Sequence, residues 1–89
     1  MKKERKTEIE IRAICAKNLC FLRKSRKHKV SQRMLARKLN LPEKTIMNYE
    51  TGKSSPSAYA LYLLADYYGY SMEELLTNEL VNEGVIQNE

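Results

Sequence analysis

Eighty-nine residues leave room for one modest core, which excludes a chain that joins a cofactor domain to a substrate domain. Charged residues at 30% beside 43% hydrophobic ones describe a folded soluble chain, and three Gly with two Pro favour helices. All 16 Lys and Arg fall within positions 1–53 beside five Glu, a balance of +11, whereas positions 54–89 carry six acids and no base, −6, so one half attracts polyanions and the other repels them.

The N-terminal MKKERK is basic, but the TEIEIRAICAK after it interrupts its apolar residues with charges and cannot serve as a signal-peptide core. A first helix is predicted from about Thr7 to about Lys27. Ile11, Cys15, Leu19 and Leu22 recur at spacings of four, four and three, the stripe of one helical face. Cys15 and Cys20 on that helix would stand ~8.6 Å apart at Cα, beyond the ~7 Å limit for a disulfide. Two free thiols and a cytoplasmic protein are therefore expected. KSRKHK, from Lys24 to Lys29, has no apolar residue and reads as a turn, either a solvated basic loop or a phosphate-contacting arm.

Ser31 offers an N-cap to a short second helix with Leu35, Ala36 and Leu39 inward, and Asn40 ends it because Asn tolerates the left-handed backbone of a tight turn. A third helix follows from Pro42 or Glu43 to Thr51, stopped by Gly52. With Ile46 inward, steps of about 100° put Tyr49 and Glu50 on its side and Lys44, Met47, Asn48 and Thr51 on the far side. Lys53 to Pro56 is a loop. Ser57 caps a fourth helix with Leu61, Leu64, Ala65 and Tyr68 inward, closed by Gly69, and Ser71 with Glu74 forms a capping box for a short fifth helix carrying Met72, Leu75 and Leu76. The longest apolar run, Ala58 to Ala65, is eight residues, against about 18 for a membrane span. The remaining TNELVNEGVIQNE reads as a solvated acidic tail, although its Leu80, Val81, Val85 and Ile86 suggest a role in dimerisation.

One His (His28), one Asp (Asp66) and no tight cluster of His, Cys and carboxylates leave neither a metal site nor a nucleophile with its base. No enzyme, cofactor or small-molecule ligand is expected.

Two short helices joined by a tight turn, with small Ala36 where they must cross and Leu35, Leu39, Leu41, Ile46 and Tyr49 inward, make a helix-turn-helix over the 20 residues from Gln32 to Thr51. At these residues the sequence resembles the phage-repressor and Cro-like DNA-binding domains. SQxxLA, TIxxYExGK, PS, LA and SxxELL occur in order at the expected distances. The resemblance covers about Asn18 to Leu76, and Ala36, Asn40, Ile46, Glu50 and Gly52 carry its structural motif, Asn40 standing where Gly is usual.

The resemblance implies an all-α, five-helix bundle of the lambda-repressor-like type, here with a long first helix, whose third helix enters the DNA major groove. Expected divisions are a basic extension and start of helix one at 1–17, the domain at 18–76 and the acidic tail at 77–89. Glu43, Lys44, Met47 and Asn48 align with base-facing positions. Lys44 can donate to guanine, Asn48 can bridge adenine and Met47 can touch a thymine methyl. Met47 is equally explained as a surface side chain packing on its neighbours, and Glu43 as a favourable charge at a helix N-terminus. Gln32 aligns with a phosphate-holding Gln that braces the first base-reading residue. Lys29, Ser31, Arg33, Arg37, Thr51 and Lys53 are expected near phosphates, together with Lys24, Arg26, Lys27 and Lys38.

In the family, the Glu at Glu50 pairs with an Arg near the end of the first helix, here Arg23 or Arg26. Arg23 is preferred because Leu19 and Leu22 then take core positions. Tyr68 and Tyr70 replace common aliphatics, and with Tyr49, Tyr59, Tyr62 and Tyr67 they read as core and rim packing rather than a base-stacking platform. The implied function is sequence-specific double-stranded DNA binding by a transcriptional repressor, a homodimer on a pseudo-palindromic operator. The alternative is a protein-interaction module of antitoxin or anti-repressor type.

Overall fold

Thr7 opens the first helix through a reciprocal pair of bonds: its hydroxyl accepts from the Glu10 amide at 3.1 Å, and the Glu10 carboxylate accepts from the Thr7 amide at 2.7 Å. This satisfies two amides that no helical carbonyl reaches, so α1 begins here and runs Glu8–Lys24. The computed structural model describes residues 5–83. α1 stops at Lys24 rather than near Lys27. Ser25 is extended and donates both its amide and its hydroxyl to the Leu22 carbonyl, at 3.2 and 2.9 Å. No apolar side chain in the basic turn beyond would tie a longer helix to the core.

α2 (Gln32–Leu39), α3 (Glu43–Thr51), α4 (Ala58–Tyr68) and α5 (Met72–Thr77) follow, and a 3₁₀ turn spans Leu80–Glu83. No strand occurs among the described residues, and the expected all-α, five-helix fold is the one observed. The hydroxyls of Ser31, Ser57 and Ser71 accept from the amides of Met34, Ala60 and Glu74, caps worth about 1 kcal/mol each. α3 has no side-chain cap and starts after Pro42, which fixes its own backbone angle and has no amide to satisfy.

α1 is the central beam, packed against α3, α5 and the 3₁₀ turn, while α2 rests on α3 and α4 on α5. Its stripe is inward as predicted at Cys15, Leu19 and Leu22, with Ile11 half-buried at the open end. Leu35, Ala36, Ile46, Tyr49, Leu61, Leu64, Ala65, Tyr68 and Leu75 complete the predicted core. A leucine buried to this degree contributes about 2 kcal/mol. Both cysteines are free, and burial pushes the Cys15 thiol up to about 11, which keeps it protonated and inert.

Two further expectations are corrected. The segment after α5 is not a solvated tail at its start: Leu80 is 1% exposed and belongs to the core. Its anchor is Asn18, buried on α1, which donates to the carbonyls of Leu75 at 2.9 Å and Asn78 at 2.7 Å and accepts from the Leu80 amide at 3.1 Å. Val81 is exposed. Val85 and Ile86 lie outside the described residues. Second, Tyr49 and Tyr68 are buried and Tyr67 and Tyr70 pack on the core, but Tyr59 and Tyr62 are 67% and 56% exposed and stack on each other, centroids 6.4 Å apart.

Candidate nucleic-acid interface

The turn that sets α3 across α2 is made at Asn40, whose φ of 57° and ψ of 45° lie in the left-handed region. Its amide bonds the Ala36 and Arg37 carbonyls, and the Leu41 amide donates to Ala36 at 2.9 Å. These contacts satisfy the last carbonyls of α2 within a reversal short enough for the two helices to cross at Ala36. Gly52, at φ 79°, ends α3 in the same way.

Glu50 holds α3 in its orientation. Its carboxylate receives the Arg23 guanidinium through two nitrogens, at 2.7 and 2.9 Å, and the Gln32 side-chain amide at 3.0 Å. A further Arg23 nitrogen donates to the Val30 carbonyl at 2.9 Å, just before α2. The end of α1, the start of α2 and the last turn of α3 therefore meet on one carboxylate, whose side chain is 3% exposed. The hydrogen bond from Arg23 to Glu50 raises the Arg23 pKa further, and bidentate pairing fixes direction as well as distance. Of the two candidate partners for Glu50, the structure selects Arg23. Arg26 is exposed in the turn.

With that face anchored, Glu43, Lys44 and Met47 point into solvent and Asn48 is half-buried beside them. The Asn48 backbone carbonyl accepts from the amides of Lys53 and Ser54 at 2.9 and 3.3 Å, which ties the end of α3 to the loop after it. Glu43 shares an open depression at the helix-helix turn with Arg33 and Arg37.

Lys29, Ser31, Arg33, Arg37 and Lys53 are exposed. None of the four cations enters either ion pair found among the described residues, Arg12 with Glu8 and Arg23 with Glu50. The Ser31 hydroxyl uses an acceptor lone pair in its cap and keeps its O–H for another oxygen. Two expected phosphate contacts are differently engaged. Gln32 is half-buried on Glu50, and the Thr51 hydroxyl donates back to the Met47 and Asn48 carbonyls at 3.1 and 3.3 Å, so it must rotate to meet a phosphate.

Sequence reasoning missed two supports of this surface. Arg12 on α1 reaches the Ser55 hydroxyl at 3.4 Å and steadies the loop after α3. His28, in the basic turn, lies edge-on to Tyr68 with centroids 5.1 Å apart and tilted to Tyr67 at 5.7 Å, so that turn is tethered to α4. The bare aromatic content of α4 was the only available hint.

A family model described as helix-turn-helix matches residues 22–75, more than half of the chain. No curated protein and no solved structure matches it.

Proposed function

The chain belongs to the helix-turn-helix family of phage-repressor and Cro type, a family of DNA-binding regulators rather than enzymes, and we propose that it is a transcriptional repressor that reads the major groove with α3. The observation that carries this reading is the three-way clamp on Glu50, which holds α3 from behind and leaves Lys44, Met47 and Asn48 turned away from the core. Lys44, Asn48, Glu43 and Met47 supply base contacts. Lys29, Ser31, Arg33, Arg37 and Lys53 supply phosphate contacts, with Gln32 and Thr51 joining once their side chains reorient. One domain of this size makes few contacts, so the working form is a homodimer on a pseudo-palindrome with half-sites about one helical turn apart. A DNA ligand and two free thiols fit the cytoplasm.

Selection from random duplex DNA should enrich one motif. On it, Asn48→Ala should cost about 1–3 kcal/mol and relax preference at one base pair. Lys29→Ala should weaken all duplexes alike and shallow the log–log salt dependence by about 0.9. Equal losses on selected and scrambled duplexes with Asn48→Ala would remove α3 from the reading role.

One observation favours a second reading, in which the acidic half docks a protein: the exposed stacked pair Tyr59 and Tyr62 on α4. Failure to enrich any motif, together with a binding partner lost on Tyr62→Ala, would favour it.

A further inference from the structure

α1 begins well before the segment that matches the family, and its N-terminal half carries a surface the helix-turn-helix does not need. Ile9, Ala13, Ala16 and Cys20 recur at spacings of four, three and four, a second stripe about 130° around the helix from the core stripe. Its C-terminal half is covered. Ala16 is buried and Cys20 half-buried, and with Ile9, Ala13 and Lys17 they line a groove against Thr51 and Gly52. Its N-terminal half is bare: Ile9 is 77% exposed and Ala13 is exposed.

Beside this bare ridge runs a groove between α1 and the 3₁₀ turn. Ile14 and Val81 supply its apolar walls, and Lys6, Glu10, Lys17 and Glu79 its charges. All of these residues lie outside 22–75, and none belongs to the candidate DNA surface. Around the helix Ile9 lies to one side of Ala13 and Glu10 and Lys17 to the other, and the two-fold axis of an antiparallel pair sets like side against like side. Small Ala13 at the midpoint lets two backbones approach. Along the chain Glu10 precedes Ala13 by three positions and Lys17 follows it by four. In an antiparallel pair crossing at Ala13, each Lys17 therefore meets the other copy's Glu10. A two-fold axis makes that contact twice and sets no like charges opposite each other at these positions.

We propose that this face is a self-association surface, on which a second copy of the chain lays its α1 antiparallel, Ala13 of each copy against Ala13 of the other, Ile9 over the groove of the other copy's Ala16 and Cys20, and Lys17 of each copy against Glu10 of the other. The proposal rests on the dimeric regulator described above and names the surface that pairs it.

The test is sedimentation equilibrium of the full chain with four variants. Ala13→Glu sets two carboxylates at the axis and Lys17→Glu sets Glu against Glu10. Either should raise the dimer Kd about tenfold or more. Ala13→Leu, uncharged but bulky at the crossing, should also weaken the dimer, because it holds the two backbones apart. Glu10→Gln retains the capping box, and adding it to Lys17→Glu should recover part of the loss. Unchanged helix content in all four shows that folding is not what moved. A wild-type chain that stays monomeric, or a dimer that withstands both Ala13→Glu and Lys17→Glu, overturns the proposal. Affinity for a duplex holding a single half-site is measured in parallel. The variants should leave it unchanged, and its absence in the wild-type chain would defeat the DNA reading without touching the mass measurement.

Discussion

Arg23 and Asn18 stand five residues apart on α1, and each ties that helix to a different part of the chain. Arg23 joins Glu50 and Val30, and Glu50 in turn holds Gln32, all in the basic half, which aims α3. Asn18 joins Leu75, Asn78 and Leu80, all in the acidic half, and through them closes the C-terminal end over the core. The first knot is ionic and the second is an uncharged amide, and that difference governs how each fails. A buried ion pair broken on one side strands a charge, whereas a buried amide that is lost strands dipoles. The surface offered to a ligand depends on the ionic knot, and the integrity of the bundle on both.

The largest expected effect follows from stranding that charge. Glu50→Ala leaves the Arg23 guanidinium and the Gln32 amide without their acceptor and should destabilise by about 3–5 kcal/mol in urea unfolding. Glu50→Gln keeps an acceptor and should cost clearly less. A loss below about 1 kcal/mol for the alanine variant would show that Arg23 finds solvent easily and that the knot does not aim α3.

Asn18→Leu nearly keeps the shape of the amide knot while leaving two carbonyls and one amide unpaired, an expected cost of about 2–3 kcal/mol. The damage should be local. Hydrogen exchange should speed most at the Leu80 amide and little in α2 and α3, and uniform acceleration would mean that the two knots do not act on separate regions.

Tyr68 lies near the ionic knot. It is buried, its hydroxyl has no hydrogen-bond partner among the described residues, and burial raises its pKa, with nearby Glu50 adding to the shift. Tyr68→Phe removes that unpaired group and should stabilise the protein by about 1 kcal/mol. Thermal unfolding at a lower temperature than wild type would reveal a partner for the hydroxyl.

The smallest effect is pH dependence at the contact between the halves. Burial against Tyr67 and Tyr68, then the neighbouring Lys27, lowers the His28 pKa in the folded chain. The unfolded chain therefore binds this proton more readily. The contribution of His28 is fully present above the unfolded value of about 6.5 and declines as pH falls below it. His28→Gln should flatten that slope between neutral and mildly acidic pH, and an unchanged slope would assign it to carboxylates instead.

Helix boundaries were legible because their causes are local. Thr7 with Glu10, Ser31, Asn40, Gly52, Ser57 and Ser71 with Glu74 each satisfy backbone groups within a turn of themselves, so a sequence window contains the whole interaction. Where α1 stopped was misjudged, because the Ser25 hydroxyl competes with the helix in a way that composition does not display. The outward face of α3 was equally legible from helical angles once Ile46 was taken as inward, though Asn48 is less open than angles alone imply.

By itself, then, the sequence determined the five helices, their inward stripes, the tight α2–α3 turn and the segregation of charge, since each depends on residues near one another in the chain. Only the tertiary structure decided between Arg23 and Arg26 as the partner of Glu50, drew Leu80 out of the presumed tail and into the core, and gave Asn18 its three bonds. Those contacts span 27 to 62 positions. An Asn in a helix reads as a polar surface residue until the chain returns to present carbonyls to it, and that return is set by packing, whose partners no local pattern specifies.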